Sequence, residues 1–120
     1  MKQFEIWWAE LRDPAGRRPV LLLSRNDAYG YLSKFIAVEV TSNIRQIASE
    51  VPMGEEEGLP KPCVANCDNM RVVPKLSLTK RAGELAPERW VEVKRAVGPR
   101  WAGGNLRTWI DGSIMPPYIR

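Results

Sequence analysis

The run Pro19-Val20-Leu21-Leu22-Leu23-Ser24 decides the fold class of this chain. Consecutive apolar residues between a proline and a serine are typical of a short strand that is buried on both faces. The next segment, Lys34–Thr41, alternates between two sets of side chains, which is the pattern of a strand with two different faces. Gly and Pro residues, 9 and 10 in number, separate such short runs along the chain. The sequence therefore predicts a small, mainly β domain rather than a helical bundle.

Further strands are predicted from shorter runs on either side of this pair. The segment Phe4–Leu11 predicts a first strand with Phe4, Ile6 and Trp8 on one face, followed by turn-forming residues at 13–16. The acidic run Glu55-Glu56-Glu57 is typical of an exposed loop. The remaining predicted strands lie around Gln46–Val51, Cys63–Ala65 and Arg71–Val73, the last two flanking Asn66–Met70.

One helix is predicted over Pro87–Val97. Proline suits the first position of a helix, and Trp90, Val93 and Val97 repeat at helical spacing. Gly98-Pro99 ends the helix. With 120 residues and 44% hydrophobic content the chain has room for one domain. We place this domain at residues 1–99.

Residues 100–120 form a C-terminal extension of unknown structure. Asp111-Gly112 between two apolar runs indicates a hairpin, and a disordered tail is an equal alternative. The longest apolar run, Val20–Leu23, is far shorter than the roughly 18 residues of a membrane span. Glu5 and Glu10 stand where a signal peptide would be apolar. We therefore expect a cytoplasmic protein that does not associate with membranes.

The chain contains no histidine. This excludes Ser-His-Asp and Cys-His nucleophiles, imidazole metal ligands and the commonest general base. The two thiols, Cys63 and Cys67, are too few for a zinc site without histidine, and we expect them to be buried and inert. The sequence predicts neither a metal site nor a cofactor.

Charge is unevenly distributed along the chain. The 18 Lys and Arg residues exceed the 14 Asp and Glu residues, and the pI is about 9.3. The whole excess lies in residues 61–120, which hold 11 basic and 5 acidic residues, whereas residues 1–60 hold 7 and 9. A basic small domain of this kind favours a nucleic-acid partner, with the phosphate contacts in the second half.

An ordered set of short motifs runs through most of the domain. In chain order these are Glu5–Trp8, Asp13-Pro14, Arg18–Ser24, Val38–Ser42, Gly58–Lys61, Val64–Val73, Leu85–Glu88 and Val91–Val97. In this set the chain resembles the MazF/PemK family of toxin endoribonucleases, within the MazF/Kid/CcdB superfamily. The loop before Arg17 lacks the acidic residue that this family usually carries there.

The resemblance implies an SH3-like β-barrel with a C-terminal helix and a symmetric homodimer. The implied activity is metal-independent cleavage of single-stranded RNA, and the implied partner is an antitoxin whose acidic segment occupies the RNA groove. The family's usual catalytic pair falls on Arg18 and Thr41. The residue that serves some members as the base falls on Asp68.

The residues are chemically suited to these roles. RNA supplies its own nucleophile, the 2′-hydroxyl, so the enzyme has to accept that proton, stabilise charge on the phosphorane and help the 5′-oxygen leave. Asp68 can accept the proton if it is partly buried, Thr41 can donate a hydrogen bond, and Arg18 can bind phosphate with a planar fork of donors. The expected substrate contacts are Ser42, Arg71, Lys80 and Arg81.

Each of these residues also has a structural interpretation. Arg18 could pair with Glu10 or Asp13, Thr41 could bond the backbone, and Asp68 could belong to a turn. Arg71 could be a surface charge, and Lys80 and Arg81 could be a solvated pair. Ser42, like Thr41, could form a hydrogen bond with the backbone. Two alternative functions remain open at this point: a toxin of the same fold that binds DNA gyrase and cleaves nothing, and an inactive RNA-binding barrel.

Overall fold

The computed structural model describes residues 1–12, 14 and 16–97. Its strands are β1 (Glu5–Glu10), β2 (Arg17–Leu22), β3 (Lys34–Thr41), β4 (Glu50–Met53), β5 (Cys63–Pro74) and β6 (Leu78–Glu84), followed by helix α1 (Trp90–Val97). Short 3-10 turns lie at Asn26–Gly30, Glu55–Glu57, Lys75–Ser77 and Pro87–Arg89. The predicted stop at Gly98-Pro99, the hairpin at Asp111-Gly112 and the extension 100–120 lie outside the described residues.

The six strands form one antiparallel sheet with the order β4-β5-β3-β2-β1-β6. The sheet curls into a half-barrel, and α1 contacts β4 and β5. This confirms the prediction of a small, mainly β barrel with a C-terminal helix. Among the described residues, no helix is both long and apolar enough to cross a bilayer.

Two glycines allow the far ends of the sheet to approach each other. Gly58 has a left-handed φ of 87°, and a side chain on it would collide with the backbone oxygen of Ala82 in β6. A side chain on Gly83 would collide in the same way with the backbone of Glu57. The turn after β4 can therefore pack directly against β6 only because both positions are glycine.

The run Val20–Leu23 is buried because the sheet has apolar layers on both faces. Leu21 and Leu23 belong to the larger core, which also holds Phe4, Ile6 and the helix residues Val93, Ala96 and Val97. Val20 and Leu22 belong to a second cluster with Ala9, Phe35, Ala37 and Val73 on the opposite face. Alternate residues of β2 therefore enter different cores, which confirms the prediction of a strand buried on both faces.

The predicted helix is confirmed, with its first turn in 3-10 form. Trp90 lies on the side that faces the larger core, and its ring centroid is 4.9 Å from that of Phe4. Its indole N–H donates to the backbone oxygen of Leu85 at 3.0 Å. Trp90 is therefore a structural residue, as predicted.

The prediction of a strand around Gln46–Val51 is wrong at its start, because β4 begins only at Glu50. Gln46 has a left-handed φ of 58°. The carboxylate of Glu50 accepts hydrogen bonds from the backbone N–H groups of Arg45 and Gln46, at 2.9 and 2.8 Å. These bonds hold residues 45 and 46 in a loop, which prevents an earlier start of the strand.

The prediction of an exposed acidic loop at Glu55–Glu57 is wrong for its last residue. Glu57 is 4% exposed and accepts a hydrogen bond from the backbone N–H of Gly54 at 2.6 Å. Its carboxylate also pairs with Arg89 at 3.3 Å. Arg89, which is distant in sequence, thus compensates the buried charge of Glu57. The local sequence pattern around Glu57 does not indicate this pairing.

Strand β6 was not predicted. It pairs with β1 at one end of the sheet order, and most of its residues are exposed, with Leu78 the buried exception. An edge strand contacts the core with one face only, and β6 does so at few positions. The apolar alternation that marks a strand is therefore weak here.

Candidate functional site

A shallow cleft of about 200 Å³ lies where β2 begins and β3 ends. It is lined by Trp8, Arg17, Arg18, Pro19, Val40, Thr41, Ser42, Leu59, Pro60, Lys61 and Cys63. Strands β2 and β3 pair with Val20 opposite Glu39 and Leu21 opposite Val38. The same register, continued for two residues, places Arg18 opposite Thr41. Three of the predicted site residues, Arg18, Thr41 and Ser42, are thus brought together.

Arg18 is held by a carboxylate that the sequence did not single out. Its Nη1 donates to Oε1 of Glu39 at 3.2 Å, and Nη1 of Arg71 donates to Oε2 of the same residue at 2.7 Å. Glu39 lies on β3, between the strands that carry the two arginines. Arg18 thus pairs with Glu39. Of the two partners in the structural interpretation, Glu10 pairs with Arg17 at 3.6 Å, and Asp13 lies outside the described residues.

Thr41 can act as a donor in the cleft. Its Oγ1 accepts a hydrogen bond from the backbone N–H of Asn43 at 3.1 Å, and the residue is half-buried. A hydrogen bond between Thr41 and the backbone is what the structural interpretation of this residue predicts. It uses a lone pair and leaves the hydroxyl hydrogen for a ligand. Ser42 is exposed at the rim.

Asp68 lies outside the cleft. Val64 is the register partner of Thr41, and Asp68 follows it by four residues along β5. The register shift between β3 and β5 leaves residues 66–69 opposite the single residue Glu39. The Oδ2 of Asp68 accepts a hydrogen bond from Ser49 Oγ at 2.8 Å.

The environment of Asp68 differs in two ways from those considered in the sequence analysis. The residue is exposed rather than partly buried, and it belongs to a continuous strand rather than to a turn. The strand continues because β4 pairs with β5 here, with Glu50 opposite Asn66. The Oδ1 of Asn66 also accepts the backbone N–H of Asp68 at 3.0 Å, which stabilises the bulge.

Lys80 and Arg81 lie on β6, on the other side of β1 from β2. Lys80 is exposed and in register with Trp8, which lines the cleft. Arg81 Nε donates to Oε2 of the buried Glu5 at 2.9 Å. Burial by itself would raise the pKa of Glu5, but hydrogen bonds from Trp7 and Arg81 lower it below its usual value. Arg81 is therefore engaged in an ion pair with Glu5, which differs from the alternative interpretation of Lys80 and Arg81 as a solvated pair.

Trp8, Arg17 and Lys61 are additional cleft residues that the sequence reasoning did not select. The guanidinium carbon of Arg17 lies 4.9 Å from the centroid of the Trp8 ring, in a cation-π contact. Arg17, Arg18 and Lys61 give the cleft three cations, and none of its described lining residues is acidic. In the sequence, the adjacent basic residues Arg17 and Arg18 are the signal that could have predicted the positive charge of the cleft. The cleft is suited to a polyanion.

Cys63 lines the cleft but is not suited to act as a nucleophile. Burial raises the pKa of its thiol, although the nearby Lys61 partly opposes this. Cys63 and Cys67 are both buried, as predicted, and neither forms a disulfide. Within residues 1–12, 14 and 16–97, no group of three Cys, Asp or Glu side chains has a metal-binding arrangement.

Comparison with known proteins places the chain among bacterial toxins. Residues 2–99 match the family model of the PemK-like, MazF-like toxin of type II toxin-antitoxin systems. The probable endoribonuclease MazF2 of Mycobacterium tuberculosis is 32% identical over 90 residues, covering 74% of this chain and 86% of that protein. The probable endoribonuclease MazF5 of the same organism is 36% identical over 86 residues, covering 71% and 78%.

Solved structures agree with these sequence matches. The toxin MazF-mt6 of Mycobacterium tuberculosis superposes with a TM-score of 0.74 at 30% identity, covering 79% of this chain and 93% of that one. A mycobacterial endoribonuclease in complex with its cognate antitoxin shares the fold, with a TM-score of 0.72 at 24% identity over 82% and 92% of the two chains. The match over residues 2–99, together with these relatives, shows that the chain belongs to the PemK-like, MazF-like family of toxins of type II toxin-antitoxin systems.

Proposed function

We propose that this chain is an endoribonuclease toxin that cleaves single-stranded RNA, including mRNA, without a metal ion, by attack of the substrate's own 2′-hydroxyl. The observation that carries the proposal is the cleft in which Arg18 lies beside Thr41, with Arg17 and Lys61 as further cations. A cationic cleft that contains a hydroxyl donor can bind the RNA backbone and stabilise charge at one phosphate. We propose the cytoplasm as its site of action, because that is where a bacterial mRNA is found.

In this mechanism Arg18 and Thr41 stabilise the transition state. The guanidinium of Arg18 is always charged and offers several donors to the non-bridging oxygens of the scissile phosphate. The hydroxyl of Thr41 donates a further hydrogen bond to one of these oxygens. Charge develops on these atoms as the 2′-oxygen attacks, so both interactions strengthen in the transition state.

The proton acceptor is a separate part of the proposal. None of the described lining residues of the cleft carries a carboxylate. Asp68 lies nearby on the β5 bulge, opposite Glu39, and its exposed carboxylate is accessible to a bound RNA strand. We therefore retain Asp68 as the group that takes the 2′-hydroxyl proton. As the 2′-oxygen bonds to phosphorus, the bond from phosphorus to the 5′-oxygen breaks, and the 5′-oxygen leaves as a hydroxyl after taking a proton from water.

Other residues would bind the RNA chain away from the reacting phosphate. Ser42 is exposed at the rim of the cleft. Lys80 is exposed on β6, where it is the register partner of the cleft residue Trp8. Arg71 and Arg81 do not line the cleft and are paired with carboxylates, so they would contribute long-range attraction more than direct contacts.

The relatives described above support RNA cleavage over the alternative functions. MazF2 and MazF5 of Mycobacterium tuberculosis are both named as endoribonucleases, whereas the alternatives were a gyrase-binding toxin and an inactive barrel. Membership of a toxin-antitoxin family implies an antitoxin partner. An acidic antitoxin segment would complement the three cations of the cleft and compete with RNA for it.

Cleavage in the presence of excess EDTA tests the proposed function. We expect a long single-stranded RNA to be cut at the same rate with and without the chelator, because the arginine fork and the threonine hydroxyl supply the transition-state contacts. The products are resolved on a denaturing gel. Complete loss of cleavage on chelation, with recovery on addition of Mg²⁺, would overturn the metal-independent mechanism. RNA that is bound but never cut would support the inactive barrel.

A homodimer is the expected assembly of the active protein. Large apolar side chains are exposed on the described surface: Tyr31, Leu32, Ile44, Ile47, Leu76 and Val91. A symmetric interface that covers part of this area would remove apolar surface from water. Light scattering on the purified chain should give twice the monomer mass of 13.6 kDa at micromolar concentration. A monomer under these conditions would contradict the expectation.

A further inference from the structure

Glu39 joins two arginines that come from different strands. Its two carboxylate oxygens accept hydrogen bonds from Arg18 and Arg71 at 3.2 and 2.7 Å. The Glu39 side chain is 14% exposed, whereas each arginine side chain is 34% exposed. The carboxylate is therefore the least exposed member of the group, and the two guanidinium groups extend from it toward solvent.

We propose that Glu39 is a positioning residue that holds the Arg18 guanidinium in its orientation at the cleft. The proposal rests on the proposed RNA-cleaving function, since it assigns the role of Glu39 through Arg18. Arginine has a long side chain, and fixing it before the substrate binds removes a conformational cost from the reaction. Glu39 fixes it from β3, the strand paired with β2.

The position of Glu39 in the sheet makes it a rigid support. In the β2–β3 register it lies opposite Val20, which is fully buried in the second apolar cluster. Ala37, two residues earlier on the same face of β3, is also fully buried. The backbone that carries Glu39 is therefore held by packed neighbours, as a residue that orients a catalytic group requires.

The two bonds also compensate charges that would otherwise repel each other. Arg18 and Arg71 flank the same strand, so without Glu39 their positive charges would drive the side chains apart. With Glu39 the group keeps one net positive charge. The bond to Glu39 is made by Nη1, one of the donor nitrogens of a guanidinium that carries five N–H groups.

The geometry distinguishes this role from that of a general base. Each oxygen of Glu39 already accepts a hydrogen bond from a guanidinium, and Glu39 is not among the residues that line the cleft. Glu39 can therefore affect the reaction only through the two arginines that it holds, and of these Arg18 is the one that lines the cleft.

Removing the carboxylate should lower turnover without a comparable loss of RNA affinity. For Glu39→Ala we expect kcat to fall roughly 10²-fold, because a misplaced catalytic group affects the transition state most. KM should change by no more than about threefold, since ground-state contacts along the RNA remain. Glu39→Gln keeps the shape and one carbonyl acceptor, so its kcat should lie between those of the parent and of Glu39→Ala.

Glu92→Ala is the matched control. It breaks a two-bond pair with Arg89 on the helix side of the molecule, at 2.7 and 2.8 Å, and Glu92 does not line the cleft. This variant should keep the parental kcat. Thermal denaturation of each variant shows whether the fold is retained, and Glu39→Gln serves if Glu39→Ala does not fold.

A double-mutant cycle tests whether Glu39 acts through Arg18. In the Arg18→Ala background, Glu39→Ala should have no further effect on the single-turnover rate. An equal fall of the rate in both backgrounds would overturn the proposal, because Glu39 would then act independently of Arg18.

A second measurement does not depend on RNA cleavage. In NMR spectra of the intact protein, rotation of the Arg18 guanidinium should be slow in the parent and fast in Glu39→Gln. Fast rotation in the parent would overturn the positioning role even if RNA is cleaved. Slow rotation in a parent protein that cleaves no RNA would support the role of Glu39 and contradict the proposed function instead.

Discussion

Replacing Arg18 with alanine is expected to abolish toxicity and to lower the rate of RNA cleavage by at least about 10³-fold, the upper range for loss of one transition-state donor. Arg18 is the only described cleft residue that both contacts Glu39 and lies opposite Thr41 in the extended register. Its guanidinium is the strongest available donor to a phosphate whose charge increases during the attack. The rate is measured under single-turnover conditions with a defined single-stranded RNA.

The fold should survive this substitution. Arg18 is half-buried at the start of β2, and its aliphatic stem contributes little to either apolar core. Glu39 would keep Arg71 as its partner. Circular dichroism and thermal denaturation should therefore give a curve close to that of the parent, within the small range typical of surface substitutions.

Two further variants provide a comparison for the rate of Arg18→Ala. Thr41→Val removes one neutral donor of nearly the same shape, so its rate loss should be smaller than that of Arg18→Ala. Arg95→Ala removes an exposed arginine of the helix outside the cleft, and it should cleave at the parental rate. If Arg18→Ala also cleaves at the parental rate, Arg18 is a structural residue and the active site lies elsewhere.

An RNA with a single 2′-deoxy nucleotide on the 5′ side of the scissile bond should remain uncut. The proposed nucleophile is the 2′-oxygen itself, so its removal leaves the protein with no attacking group. Cleaved parental RNA should carry a 2′,3′-cyclic phosphate, which mass spectrometry identifies. Cleavage of the deoxy substrate at its modified position would show that water or a protein group attacks, and it would remove the role given to Asp68.

Asp68→Asn probes the proton acceptor within the same mechanism. The substitution keeps the side-chain shape, and the amide oxygen can still accept the bond from Ser49 Oγ. We expect the rate to fall by roughly 10²–10⁴-fold, the usual contribution of general base catalysis, with RNA binding little changed. Lost thermal stability together with lost activity would instead indicate that Asp68 acts by stabilising the β5 bulge.

The regular part of the fold follows from local patterns. The segment Lys34–Thr41 was predicted with the bounds that β3 has, because the alternation of its side chains records the two faces of one strand. The buried run Val20–Leu23 likewise indicated layers on both faces. Strand β6 gave no such pattern, since an edge strand with exposed Lys80 and Arg81 lacks apolar alternation.

The site was predicted in its residue types but not in its arrangement. Arg18, Thr41 and Ser42 were selected from the motifs, and the cleft contains all three. Asp68 was selected in the same way, and the register shift in β5 places it outside the cleft. A bulge depends on how two strands pair, and the sequence of one strand does not specify the shift.

By itself the sequence determined the chemical range of this protein: no histidine, an excess of cations, and an arginine and a threonine at the ends of two apolar strands. Only the tertiary structure decided which groups meet. Glu39 is 21 positions from Arg18 and 32 from Arg71. Apolar periodicity is set by neighbours a few residues away, so it can be read from the chain. Contact between charges on β2, β3 and β5 depends on strand order and register, which arise only when the sheet forms.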